Sequence, residues 1–183
     1  MNTEPNNNRK LYIILSRTGT NLSKVIRFVT KAHYNHVSLS LDPKLEHMYS
    51  FGRRYPRNPL WGGFVHESKN RGFFKRFNDT EVKVLSLDID ERTYQDIKSV
   101  FTYMKNHQNC YHYNYVGLCL AAFNIQFQPT HTYYCSEFAK EILVRHHIQG
   151  ADQLKKVPQP IHFESIPNTT EIYIGKLTQY NAA

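Results

Sequence analysis

Apolar and polar positions along the chain predict several short strands. A continuous apolar run over residues 11–15 has the length of a buried strand. From His36 to Asp42 apolar and polar residues alternate, which indicates a strand with one polar face. Pro43 then predicts a tight turn, after which the chain returns as the second arm of a hairpin. Further strands are predicted at residues 47–51, 82–87 and 171–177.

Helical spacing of apolar residues dominates the second half of the sequence. Asp90 is a helix-capping residue, and Ile97, Phe101 and Met104 behind it fall on one face. Strands early in the chain and helices late predict the α+β class, with a small antiparallel sheet packed against helices. The predicted helices are residues 22–29, a segment starting after Asp90, residues 113–123 and residues 135–147.

Residues 52–80 interrupt this pattern. They are rich in Gly, Pro, Asn, Arg and Lys and show little periodicity, so they are predicted to form a long loop or excursion. Loops of this length are usually lids or binding segments. Residues 1–10 are predicted to be a flexible tail, and residues 11–180 a single domain, as expected for a chain of 183 residues.

The charge balance indicates an anionic partner. The chain has 23 Lys and Arg against 15 Asp and Glu, which gives a net charge of +8. No apolar run approaches the ~20 residues that a membrane-spanning helix needs, and the polar start does not resemble a signal peptide. Three cysteines without an export signal predict free thiols in a reducing compartment. The expected location is therefore the cytoplasm.

Cys135 is the first candidate for chemistry because it opens a predicted helix. A thiol at a helix N-terminus faces unpaired backbone N–H groups and the positive end of the helix dipole, which both favour the thiolate. The same N–H groups can stabilise a developing oxyanion. The alternative role is that of a small buried apolar residue, which describes most free cysteines. Cys110 and Cys119 are interpreted as such core or incidental thiols.

His36 is the second candidate. It begins a strand on its polar face, and an imidazole held on a strand can point across a cleft. The chain has ten histidines, so a surface or structural role is the competing explanation for any one of them. A Cys and a His that lie far apart in sequence and meet in the fold are the usual arrangement of a thiol hydrolase, with the His as base.

Three segments resemble those of a known family, in the same order along the chain. Residues 16–26 read SRTGTNLSKVI, residues 30–39 read TKAHYNHVSL, and residues 134–138 read YCSEF. They resemble the small-residue loop and helix, the His-Val strand and the Cys-Ser-Glu/Gln-Phe/Leu helix start of YiiX-like proteins. These are circularly permuted members of the NlpC-type, papain-like cysteine hydrolase superfamily. YSFGR at 49–53 and GGFV at 62–65 are similar to a cytoplasmic Firmicute branch of that family.

The resemblance implies a permuted papain-like fold with Cys135 as nucleophile and His36 as base. The histidine strand precedes the nucleophile in this family, and here 99 residues separate the two. A third polar residue on the strand after His36 is implied, to orient the imidazole. Hairpin spacing favours Ser50 for this role, with three alternatives left open: Glu46, His47 and Glu67.

Binding residues are expected around the nucleophile. Four side chains are candidates for oxyanion or substrate binding: Tyr12, Arg53, Tyr134 and Ser136. No metal or organic cofactor is expected. The pairs His33/His36 and His146/His147 have no close Cys-x-x-Cys partner of the kind that structural zinc sites use.

Basic and aromatic residues alternate within residues 52–80, which raises an alternative function. Such a segment could make the protein a non-catalytic module that binds nucleic acid or an anionic membrane surface. No helix-turn-helix, zinc-finger or RNP signature is present, so a nucleic-acid partner is not expected. In an enzyme the same segment would form a lid that favours anionic substrates or touches a membrane.

The sequence as a whole therefore predicts a cysteine hydrolase or acyltransferase that acts on an amide or ester bond. Its substrate would be a small molecule, a peptide or a lipid. The oligomeric state is left open.

Overall fold

The computed structural model describes residues 9–18, 33–55 and 58–182. Their strands build a six-stranded antiparallel sheet with the spatial order β4-β3-β2-β1-β5-β8. A separate parallel pair joins β6 to β7. The strands are β1 (Arg9–Arg17), β2 (His36–Ser40), β3 (Met48–Tyr55), β4 (Asn58–Glu67), β5 (Glu81–Ile89), β6 (His112–Tyr113), β7 (Thr132–Tyr133) and β8 (Thr169–Lys176).

Four α-helices accompany the sheet in the described ranges. They are α1 (Gly72–Arg76), α2 (Glu91–Asn106), α3 (Tyr115–Ala121) and α4 (Cys135–Arg145). The predicted α+β class is confirmed. None of these helices combines the length and apolarity that crossing a membrane would require.

Strand β1 is buried on both faces, which explains its continuous apolar run. Leu11, Ile13 and Leu15 point into a core shared with α2 and α4. Tyr12 and Ile14 point to the opposite face, into a second core completed by α1 and the C-terminal residues. Because side chains alternate along a strand, this one segment contributes to both cores.

Helix α2 forms as its capping pattern predicts. The side chain of Asp90 accepts a hydrogen bond from the backbone N–H of Thr93 at 2.8 Å. Ile97, Phe101 and Met104 are buried against the sheet, as expected from their spacing. The predicted helices at 113–123 and 135–147 are confirmed as the shorter α3 and α4.

The prediction of a long loop over residues 52–80 is wrong. This segment holds the end of β3, all of β4 and the short α1. Glycines on the paired strands explain why periodicity was weak, since Gly52 lies opposite Gly63. Arg9 and Lys10, assigned to a tail, are the first residues of β1. The predicted tail over residues 1–8 and the predicted helix over 22–29 lie outside the described residues.

Candidate active site

The site forms where the ladder between β2 and β3 stops. Strand β2 pairs with β1 along its full length but with β3 only at Leu39 and Ser40. Beyond that point the Val37 carbonyl accepts a hydrogen bond from the Ser50 hydroxyl at 2.6 Å. The N–H of Val37 donates to the sulfur of Cys135, the first residue of α4. The helix start therefore takes the place of a strand partner.

Cys135 and His36 meet at this gap, as predicted. The Cys135 side chain is buried and hydrogen-bonded to the imidazole of His36, and its Sγ lies 3.9 Å from Ser136 Oγ. Burial alone raises the pKa of the thiol. The hydrogen bond and positive charge of His36, with smaller contributions from the Val37 N–H and the Ser136 hydroxyl, outweigh this, so the pKa of Cys135 is lowered from 9.0.

Glu67 completes the site by holding the other side of the imidazole. His36 Nε2 donates to Glu67, at 3.2 Å from Oε1 and 3.3 Å from Oε2, and the Ser38 hydroxyl donates to Oε2 at 2.7 Å. Burial lowers the pKa of His36, but the Glu67 carboxylate and the Cys135 thiolate overcome it and raise the pKa to about 10. Both shifts favour the thiolate–imidazolium ion pair over the neutral thiol and imidazole.

The contact between His36 and Glu67 crosses strand β3. Glu67 is on β4, two strands away from His36 in the sheet order. Its register partner is Met48, and Val65 pairs with Ser50. Gly52 pairs with Gly63, and an added Cβ there would stand 3.7 Å from His36 Cε1 and 3.6 Å from Val65 Cγ2, which are ordinary van der Waals distances. The imidazole and Val65 therefore lie close to Gly52 on the same side of β3.

Ser50 does not hold the imidazole, so the choice of Ser50 as orienting residue is corrected to Glu67. The Ser50 hydroxyl is fully buried and donates to the Val37 carbonyl, where it closes the gap in the ladder. The other two alternatives have different partners. Glu46 accepts hydrogen bonds from Ser68 and Asn70, and His47 contacts His66 at 2.9 Å.

The four residues predicted to bind the oxyanion or the substrate lie in different surroundings. Tyr12 points into the second core, on the opposite sheet face from Cys135, so its expected oxyanion role is wrong. The Tyr134 hydroxyl donates to the Pro158 carbonyl at 3.5 Å, and burial raises the pKa of Tyr134. Ser136 lies beside the sulfur, as predicted. Arg53 stacks on Phe73, with its guanidinium carbon 5.4 Å from the ring centroid.

Tyr113 is a neighbour of the nucleophile that sequence reasoning missed. Burial, followed by the negative charge of Cys135, raises the pKa of Tyr113, which keeps its hydroxyl protonated. Its ring lies 4.7 Å from that of Tyr115. Neither residue stands in a motif of the sequence. Only the packing of β6 against the β3–β4 hairpin brings them to the site.

A buried carboxylate fixes the start of α4. Glu137 Oε2 accepts the Tyr134 N–H at 3.0 Å and the Asn114 side-chain amide at 3.1 Å. Asn114 in turn caps α3 by accepting the Gly117 N–H at 2.8 Å and donates to the Phe127 carbonyl at 2.6 Å. Burial raises the pKa of Glu137 to about 7 against these hydrogen bonds. The network joins α3 to the turn that carries Cys135.

Gly117 is required by this network, and we expect Gly117→Ala to destabilise the protein. A Cβ at this position would overlap the Asn114 amide and the Phe127 carbonyl, which is backbone and cannot rotate away. The overlap should cost about 1–3 kcal/mol of unfolding free energy, although alanine favours helix more than glycine does. Urea unfolding measures the change. The control is Cys119→Ala, which changes an exposed residue of the same helix and should alter the unfolding free energy by no more than about 0.5 kcal/mol. Equal stability of the two variants would contradict the role of Gly117.

The remaining candidates do not converge on a second site. Within the described ranges, no group of three or more His, Cys, Asp or Glu side chains is arranged to hold a metal ion. Cys110 and Cys119 are exposed free thiols, so of the two alternatives for them, core or incidental, the core position is wrong. Phe64 and Phe74 of the basic segment are buried in the two cores, where they are not available to stack on bases.

Comparisons with family models, with curated proteins and with solved structures give no match.

Proposed function

We propose that this protein is a cysteine hydrolase or acyltransferase that acts on an amide or ester bond through Cys135, His36 and Glu67. The observation that carries the proposal is the ion pair at the start of α4. A thiol with a lowered pKa, an imidazole with a raised pKa and a carboxylate behind that imidazole form the set that nucleophilic catalysis needs.

In the proposed reaction the thiolate of Cys135 attacks the carbonyl carbon and the C=O electron pair moves onto oxygen. The unpaired N–H groups of the first turn of α4 stabilise this oxyanion. His36 then gives its proton to the leaving nitrogen or oxygen as that bond breaks, which leaves a thioester on Cys135. Water or another acceptor, deprotonated by the now neutral His36, attacks the thioester. The thiolate departs and the ion pair is restored.

The secondary-structure elements that carry the three residues support a permuted papain-like arrangement. The nucleophile lies at a helix start, while the base and the acid come from strands of one antiparallel sheet. His36 and Glu67 both precede Cys135 in the chain, which is the order expected of the permuted family that the sequence resembles. Peptide, isopeptide, thioester and acyl-lipid substrates are all compatible with this chemistry.

An activated ester tests the proposal without knowledge of the natural substrate. In a Cys110→Ser/Cys119→Ser background, p-nitrophenyl acetate should give a burst of nitrophenolate that is stoichiometric with protein, followed by slower turnover. Mass spectrometry of the quenched burst should find the acetyl group on Cys135. The matched control is the same background with Cys135→Ser. A burst of equal size in that control, or an unmodified Cys135 in the parent, would overturn the proposal.

A further inference from the structure

A cavity of about 360 Å³ adjoins the acid side of the site. Glu67 and Val65 of β4 form one wall, and Arg53, Arg71 and Phe73 contribute to the rest. The wall is shared with the site itself, because the Glu67 carboxylate binds the imidazole and Val65 packs at the glycine over which the imidazole lies. A ligand in this cavity would therefore contact the acid of the site, whereas Cys135 and His36 are not among the described residues that line it.

The two acids that line the cavity are Glu67 and Glu46, and both have hydrogen-bond partners. Glu67 is paired with the protonated His36. Glu46 accepts hydrogen bonds from Ser68 and Asn70. Among the described residues, neither carboxylate forms an ion pair with an arginine that lines the same space.

The arginines of the cavity take no part in the ion pairs that the described residues form. In the described part of the chain, no ion pair includes Arg53, Arg54 or Arg71, although nine ion pairs are formed elsewhere. Arg54 Nε is buried without a hydrogen-bond partner among the described residues. The positive potential is felt at His66 on the cavity wall. Burial is the largest cause that lowers the pKa of that imidazole, followed by the positive charge of Lys105 and, to a smaller extent, that of Arg71.

Arg53 connects the cavity to the nucleophile. On one side its guanidinium stacks on Phe73. On the other side its charge acts on Tyr115, where it opposes the increase in pKa that burial causes. Tyr115 packs against Tyr113, whose own pKa responds to the charge of Cys135. Arg53 is therefore an electrostatic neighbour of the tyrosine pair that lies near Cys135.

We propose that this cavity is a subsite for an anionic group of the substrate, a carboxylate or a phosphate, bound by Arg53 and Arg71 while the scissile carbonyl faces Cys135. The inference rests on the proposed function and adds a substrate class to it. Paired guanidinium groups bind both anions through two-point hydrogen bonds. Because no described acid forms an ion pair with either arginine, binding would break no ion pair among the described residues.

Two alkylating probes of nearly equal shape test the subsite. Iodoacetate carries a carboxylate and iodoacetamide is neutral, so the ratio of their rates at Cys135 measures selectivity for an anion. Arg53→Glu and Arg71→Glu should each lower that ratio about tenfold. Lys75→Glu makes the same charge change on an exposed residue of α1 that does not line the cavity, and it should leave the ratio near that of the parent.

Competition then separates the two anions. Inorganic phosphate or succinate should slow iodoacetate labelling of the parent, and the stronger competitor identifies the preferred group. An equal decrease in the ratio for all three charge-reversed variants would show only a long-range charge effect and overturn the subsite. So would a parent ratio at Cys135 no higher than at Cys110 and Cys119. Failure of the proposed function looks different, because Cys135 would then form no acyl adduct whatever the probe ratio.

Discussion

His36→Ala should slow alkylation of Cys135 by iodoacetamide about 10- to 100-fold at pH 7. Without the imidazolium, burial is the dominant influence on Cys135, and it raises the pKa of the thiol. A thiol at its ordinary pKa of 9.0 is ionised to only about 1% at pH 7. The loss in rate is smaller than this fraction alone implies, because a thiolate of higher pKa is a stronger nucleophile.

The dependence of the Cys135 alkylation rate on pH should differ between the parent and His36→Ala. In the parent, the pKa of Cys135 is lowered, so the thiolate forms below pH 9.0, and the pKa of His36 is raised to about 10, so the ion pair persists up to about pH 10. The alkylation rate should be nearly flat over this window and should fall only at acidic pH, where the thiolate takes up a proton. In His36→Ala the rate should instead rise steadily through alkaline pH.

A neighbouring histidine provides the matched control. His33→Ala removes an exposed imidazole three residues upstream and should keep the flat profile of the parent. If His33→Ala and His36→Ala give the same profile, or if His36→Ala remains flat from neutral pH to pH 9, the ion pair does not exist as described. Circular dichroism of both variants separates this result from a loss of fold.

Glu67→Gln should remove the charge that keeps His36 protonated while retaining the shape of the side chain. The carboxylate is the largest influence that raises the pKa of His36, and burial opposes it. The pKa of the imidazole, followed by NMR, should therefore fall well below its value of about 10 in the parent. Alkylation of Cys135 at pH 7 should slow about 10- to 100-fold, since each pKa unit of lost ion pairing is a factor of ten.

Ser50→Ala is the sharp comparison for Glu67→Gln. The Ser50 hydroxyl donates a hydrogen bond to the Val37 carbonyl, whereas the His36 imidazole is hydrogen-bonded to the Glu67 carboxylate. The variant should lose about 1 kcal/mol of stability through the unsatisfied carbonyl and keep the parent titration of His36. If Ser50→Ala shifts the pKa of His36 while Glu67→Gln does not, then Ser50 is the orienting residue and the assignment of Glu67 is wrong.

Local chemistry made several elements predictable. The apolar run of β1, the alternation of β2 and the Asp90 cap of α2 each depend on neighbours in the chain. Cys135 and His36 could also be proposed as the catalytic pair from local features. A cysteine at a helix start and a histidine at a strand start are positions that the pattern around each residue defines.

The prediction of secondary structure failed where glycines and arginines take the place of apolar residues, because the alternation of apolar and polar positions is then weak. The segment over residues 52–80 was predicted to be a loop because strand β4 contains Gly62 and Gly63, which carry no side chain to show alternation. Yet those glycines are needed there. A Cβ at Gly62 would stand 2.7 Å from the Tyr115 hydroxyl and 2.8 Å from Tyr113 Cβ. The close approach of β6 requires glycine at this position, and a glycine does not contribute to the alternation of apolar and polar residues by which a strand is predicted.

The sequence by itself determined the α+β class, most strands and helices, and the pairing of Cys135 with His36 as candidates. The tertiary structure decided which acid stands behind the imidazole. Spacing along a hairpin favours the adjacent strand and hence Ser50, whereas Glu67 reaches His36 from the strand beyond. Such a contact depends on sheet order and on where a ladder ends. Both are set by packing between segments distant in the chain, which no local pattern records.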